Sequence, residues 1–83
     1  MDMENQKEYK MHDFFLGAVL LATGIKLLRL ERGGNKFVDF VFDVSKDGAE
    51  KIIGDYWSRN LQIEARDLIE AISSLKTRIY SGV

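Results

Sequence analysis

The sequence predicts a small α+β domain in the order α-β-β-α-(short β)-α, with an antiparallel hairpin packed on helices. Three observations carry that prediction. The run FFLGAVLLATG, Phe14 to Gly24, is almost wholly apolar and of helix length; IKLLRLER and FVDFVFD flank GGNK as two strand-like runs around a glycine turn; and two later segments repeat apolar residues at helical spacing. A chain of 83 residues holds one core. Its 46% hydrophobic and 30% charged residues are the balance of a folded domain, which sets disorder aside except at the ends.

Residues 1–10, MDMENQKEYK, are polar and mixed in charge, and are expected to form a flexible N-terminal tail. The globular domain is expected over 11–80, with 81–83 as a C-terminal tail. His12 or Asp13 caps the first helix, and Gly24 supplies the left-handed residue that ends it. Phe14, Phe15, Leu16, Ala18, Val19, Leu20, Leu21 and Ala22 cover almost every direction about the axis, so this helix must be enclosed. The run falls short of the roughly 20 apolar residues that span a bilayer. A secretory signal would carry positive charge on its N-terminal flank, where this chain has Asp2, Glu4, Glu8 and Asp13 against Lys7 and Lys10. The expectation is a core helix in a cytoplasmic protein.

Within the hairpin, Val38, Phe40 and Phe42 alternate with Asp39, Val41 and Asp43, which turns the even positions to the core. Leu28 and Leu30 are the matching core candidates. A three-residue loop, Gly33-Gly34-Asn35, keeps both sets on one face by opposing Leu30 to Val38 and Leu28 to Phe40, with Arg29 facing Asp39 outside. Ile25, Leu27, Phe37 and Val41 then leave an apolar outer face that needs a cover.

In DVSKDGAEKIIGDYWSRN, Ala49, Ile52, Ile53, Tyr56 and Trp57 form one helical stripe, and the two aromatics are expected in the core. Ser45 is the expected N-cap, Asp47 an alternative, and Asn60 the C-cap. Leu61 to Ile63 is the candidate short strand. A final helix from about Glu64 to Tyr80 carries Ala65, Leu68, Ile69, Ile72, Leu75 and Ile79 inward, with Asp67 and Glu70 near its start and Lys76 and Arg78 near its end to match the dipole.

Leu20-Leu21-Ala22-Thr23-Gly24 leading to Leu27-Leu28, then Phe40-Val41-Phe42, Tyr56-Trp57 and the closing Leu75-Lys76-Thr77-Arg78-Ile79-Tyr80 resemble a family of small bacterial and phage-borne domains of unknown function. The resemblance spans about Asp13 to Tyr80. It implies a compact single domain and transfers no functional residue. Glu64 departs from the Asp-like cap expected before the last helix.

No motif names a chemistry. There is no Cys and a single His12, which excludes thiolate catalysis and clustered His and Cys metal sites, and no Ser lies in a nucleophile-elbow setting. Gly33-Gly34 lacks the phosphate-loop pattern, and Asp39 and Asp43 share a strand face instead of a cleft. No enzyme activity, cofactor, metal, small-molecule substrate or membrane contact is expected. The leading expectation is a non-catalytic protein-interaction domain that self-associates through Leu27, Phe37 and Val41. The alternative is an accessory nucleic-acid binder that contacts phosphates with Lys26, Arg29, Arg32 and Lys36. The hairpin segment Lys26 to Lys36 is net +3, but the segment that follows it, Asp39 to Glu50, is net −3.

Overall fold

In a computed structural model, which describes residues 7–32 and 37–81, Asp13 opens the first helix by accepting a 3.0 Å bond from the Leu16 amide. Helix α1 runs from Phe14 to Ala22. Gly24, at φ 103°, ends it in a Schellman turn, with Ile25 N–H donating to Leu20 O and Gly24 N–H to Leu21 O. The consecutive residues Gly17, Ala18, Val19 and Leu20 are all buried, but Phe15 is exposed, so the helix is enclosed over its middle and not all round, where its apolar run predicts full enclosure.

Strand β1 covers Glu8–Met11, β2 Leu27–Arg32 and β3 Val38–Asp43; helix α2 covers Lys46–Trp57 and α3 Ala65–Ser81. The sheet order is β1-β3-β2, antiparallel throughout. β1 and β2 are therefore parallel, joined by α1 with β3 between them, the arrangement of a split β-α-β unit. The fold is α+β, as expected, with one strand more at its start. Residues 8–10, expected in the N-terminal tail, pair with β3: Glu8 opposes Asp43, Tyr9 Phe42, Lys10 Val41 and Met11 Phe40. Leu61 to Ile63 forms no strand and connects α2 to α3.

The register of the hairpin differs from expectation by two residues. Leu30 faces Phe40 and Arg32 faces Val38, so five residues, 33 to 37, separate the last pair. The expected turn residues Gly33, Gly34 and Asn35 lie outside the described residues. Because the shift is even, Leu30 still joins Phe40 on the core face. A bulge between Leu27 and Arg29 then changes the parity of the strand's start, and Leu27, not Leu28, opposes Phe42.

Ala18, Leu20, Leu27, Phe40, Phe42, Ala49, Ala71 and Leu75 form the core cluster, with Tyr9, Met11, Leu30 and Val38 packed against it from the sheet. Gly17 lets α1 close on the sheet: a Cβ there would stand 3.1 Å from Cδ2 of Phe40. The thinnest extent of the chain, 18 Å, fits one layer of sheet under one of helix. Ser45 caps α2 by accepting from Gly48 N–H at 3.0 Å. The C-cap of α2 is Ser58 rather than Asn60. In the Schellman turn that follows, Arg59 is the left-handed residue (φ 66°), its N–H donating to Tyr56 O while Asn60 N–H donates to Asp55 O.

Two helical stripes are narrower than expected. α2 buries only Ala49 fully, with Ile52 and Ile53 partly buried, and Tyr56 and Trp57 stand exposed. α3 buries Ala71 and Leu75 and packs Leu68, Ile72 and Ile79, while Ala65 and Ile69 face outward.

Candidate functional site

The outer face of the sheet is closed by charge. Val41 is 1% exposed yet stands outside the core cluster. Its neighbours in register are Lys10 on β1 and Arg29 on β2, whose aliphatic stems are placed to cover it. Above, the charged groups join across the central strand: Arg29 meets Glu8 through two bonds of 2.9 and 3.2 Å and Glu31 at 2.9 Å, and Glu31 meets Lys10 at 2.8 Å. The Arg29 guanidinium bonded to Glu8 holds that carboxyl below its ordinary value. Glu31 is lowered first by Lys10 and then by Arg29, and in return Glu31 raises Lys10. Arg29 is raised by Glu8 and then by Glu31.

This face corrects the expectation of an apolar outer surface. Leu27 is turned inward by the bulge and Val41 lies under the ion network, so the expected interface of Leu27, Phe37 and Val41 does not exist as one surface. Phe37 alone is exposed, its ring 4.8 Å from that of His12. The basic set is dispersed too. Arg29 is engaged by two carboxylates, and Arg32 donates to the Ile79 carbonyl at the C-terminal end of α3. Lys26 is exposed at the other end of β2. Lys36 lies outside the described residues. The face that holds Arg29 carries Glu8, Glu31, Asp39 and Asp43 against Arg29 and Lys10, so it is acidic where the hairpin read alone is basic.

Exposed apolar surface gathers elsewhere, at the end of the molecule where β1 leads into α1. There Phe14, Phe15, Lys76, Ile79 and Tyr80 line an open groove of about 350 Å³ between the start of α1 and the last turns of α3. Tyr80 is 85% exposed and Phe15 64%. Phe14 and Phe15 meet edge to face at 5.1 Å. The Arg32–Ile79 bond brings the end of β2 to the same place. Sequence reasoning missed Phe15 because it sits in a helix apolar on every side. Tyr80 had a signal: it follows Ile79 by one residue and so falls off the Leu68, Ile72, Leu75, Ile79 stripe.

A second depression, where the end of α1 meets the first half of α3, is lined by Leu21, Ala22, Asp67, Glu70, Ala71 and Ser74. His12 Nδ1 stands 4.0 Å from Asp39 Oδ1, both partly exposed. Among the described residues, no three His, Cys, Asp or Glu side chains are grouped to hold a metal ion, and no helix is long and apolar enough to cross a membrane.

Residues 6–81 match a protein family described as Domain of unknown function (DUF5659). The chain belongs to the DUF5659 family. The match takes in all six elements, β1 included, so the edge strand lies inside the DUF5659 unit. No curated protein matches the chain. No solved structure matches it.

Proposed function

We propose that this chain is a non-catalytic protein-interaction domain whose contact surface is the aromatic end, centred on Phe15 and Tyr80. The observation that carries the reading is their exposure, 64% and 85%, beside a groove floored by Phe14 and Ile79. Aromatic side chains bring large contact area, and among the described residues no element covers these two. The partner in this reading is a second copy. In this reading the domain is cytoplasmic, which the place of α1 in the core supports: losing it as a cleaved leader would strip Ala18 and Leu20 from the core cluster.

Light scattering over a concentration series tests it. The expected result is a concentration-dependent dimer that Phe15→Ser with Tyr80→Ser abolishes while the circular dichroism spectrum is retained. A chain monomeric throughout the series, or a dimer indifferent to both substitutions, would overturn the reading. The nucleic-acid alternative has less support, since Arg29 and Arg32 are already engaged and carboxylates outnumber cations on the outer face that holds Arg29. It would require affinity that falls steeply with salt and weakens on Arg32→Ala with Lys36→Ala.

A further inference from the structure

β1 is the least embedded part of the sheet. Its four residues alternate exposed and half-buried, and none is fully buried, while β3 beside it buries Phe40, Val41 and Phe42. Only His12 and Asp13 join it to α1. On the core side it contributes Tyr9 and Met11. On the outer side its hold is electrostatic and reaches past its own neighbour: Glu8 and Lys10 cross β3 to Arg29 and Glu31 on β2. Those side chains are 35–55% exposed, so dissolved ions compete with them.

We propose that β1 is a salt-gated latch, which swings off the edge of β3 as a unit while the rest of the domain stays folded. The network of Glu8, Arg29, Glu31 and Lys10 sets how often it opens. Backbone pairing and the two half-buried side chains oppose opening, and screening of the cross-strand ions favours it. An element with few buried contacts occupies the low end of a protein's range of local stabilities, the condition for opening without global unfolding. Opening uncovers the backbone edge of β3, vacates the places of Tyr9 and Met11 beside Phe42 and Phe40, and removes Lys10 from over Val41. The inference is independent of the aromatic end, because none of the four latch residues lines that groove.

Amide hydrogen exchange of the full chain in low and high sodium chloride tests it. In the wild type, the amides of the β1–β3 ladder should exchange several-fold faster in high salt, while those of the β2–β3 ladder, α1 and α3 keep their protection. Arg29→Gln should place the β1 amides near their high-salt rate already in low salt. Exchange of β1 in step with the β2–β3 ladder under both conditions would overturn the latch, and so would β1 opening indifferent to salt. Should Arg29→Gln fold poorly, the wild-type salt series decides alone. The Phe15→Ser, Tyr80→Ser variant separates the two proposals, since it should lose the dimer and keep the salt response.

Discussion

Arg59 holds the left-handed position of the second Schellman turn, where α1 uses Gly24 for the same geometry. The bonds from Arg59 N–H to Tyr56 O (3.1 Å) and Asn60 N–H to Asp55 O (2.8 Å) keep it there. A residue with a Cβ in this conformation costs about 1–2 kcal/mol. Glycine removes that cost but adds freedom to the unfolded chain, an offset of about 0.4–1 kcal/mol. Arg59→Gly should therefore stabilise the domain by about 0.5–1 kcal/mol, which for a chain of this size raises the melting midpoint by roughly 3–6 °C. The side chain makes no hydrogen bond or ion pair among the described residues, so little is lost with it. Arg59→Ala is the control: it removes the same side chain, keeps the Cβ, and should stay within about 0.5 kcal/mol of wild type. Thermal unfolding followed by circular dichroism measures both. If Arg59→Gly matches Arg59→Ala, or melts below wild type, the left-handed backbone at this position does not carry the cost assigned to it.

Two other glycines should respond in opposite directions to alanine. Gly54 has open space around its missing Cβ, and Gly54→Ala should raise stability in urea titration by up to about 1 kcal/mol through helix propensity. Gly17→Ala places a Cβ 3.1 Å from buried Phe40 and 3.6 Å from Met11 Sδ, and should lower it by about 1 kcal/mol despite the same propensity gain. Glu8 and Glu31 have folded values below the ordinary 4.5, so their contribution is present above that pH and is lost as the pH falls through the lowered values. Lys10 is raised above 10.5 and acts in the opposite sense, its contribution lost as the pH rises through the raised value. A series of melting midpoints should thus fall on acidification below about pH 4.5, and more shallowly in Arg29→Gln. Trp57, at 68% exposure, should emit near the wavelength of free tryptophan and be quenched readily by iodide. A blue-shifted, protected emission would return it to the core.

What was legible in the sequence is what neighbouring residues settle among themselves. The caps at Asp13 and Ser45, the stop at Gly24 and the inward face of Phe40 and Phe42 follow from local bonding and period-two alternation. The membership of Phe37 in an exposed surface was also readable. β1 was not, because EYKM becomes a strand only when β3, distant in the chain, arrives beside it to pair Glu8 with Asp43 and Met11 with Phe40. Leu27 was misplaced for a similar reason: a single bulge reverses which leucine of a Leu-Leu pair faces inward, and nothing in the pair itself marks the side. The outer face looked bare as long as β1 was absent, since half of the ions that cover Val41 come from that strand. Tyr56 and Trp57 show the limit of periodicity. A stripe names the side of the helix that turns inward, but a small core does not reach the end of every stripe.

The strand order has a consequence for the sequence of events in folding. Because β3 is the central strand and the last of the three in the chain, β1 must wait for a partner that the hairpin supplies, and Glu8 closes on Asp43 across the longest loop in the sheet. The hairpin and α1 can form around Phe40 and Leu20 first, and β1 then zips onto a prebuilt edge. In stopped-flow measurements, Tyr9→Ala and Met11→Ala should accelerate unfolding and leave the folding rate almost unchanged, whereas Leu20→Ala should slow folding. The first strand of the chain would then be the last to join the sheet.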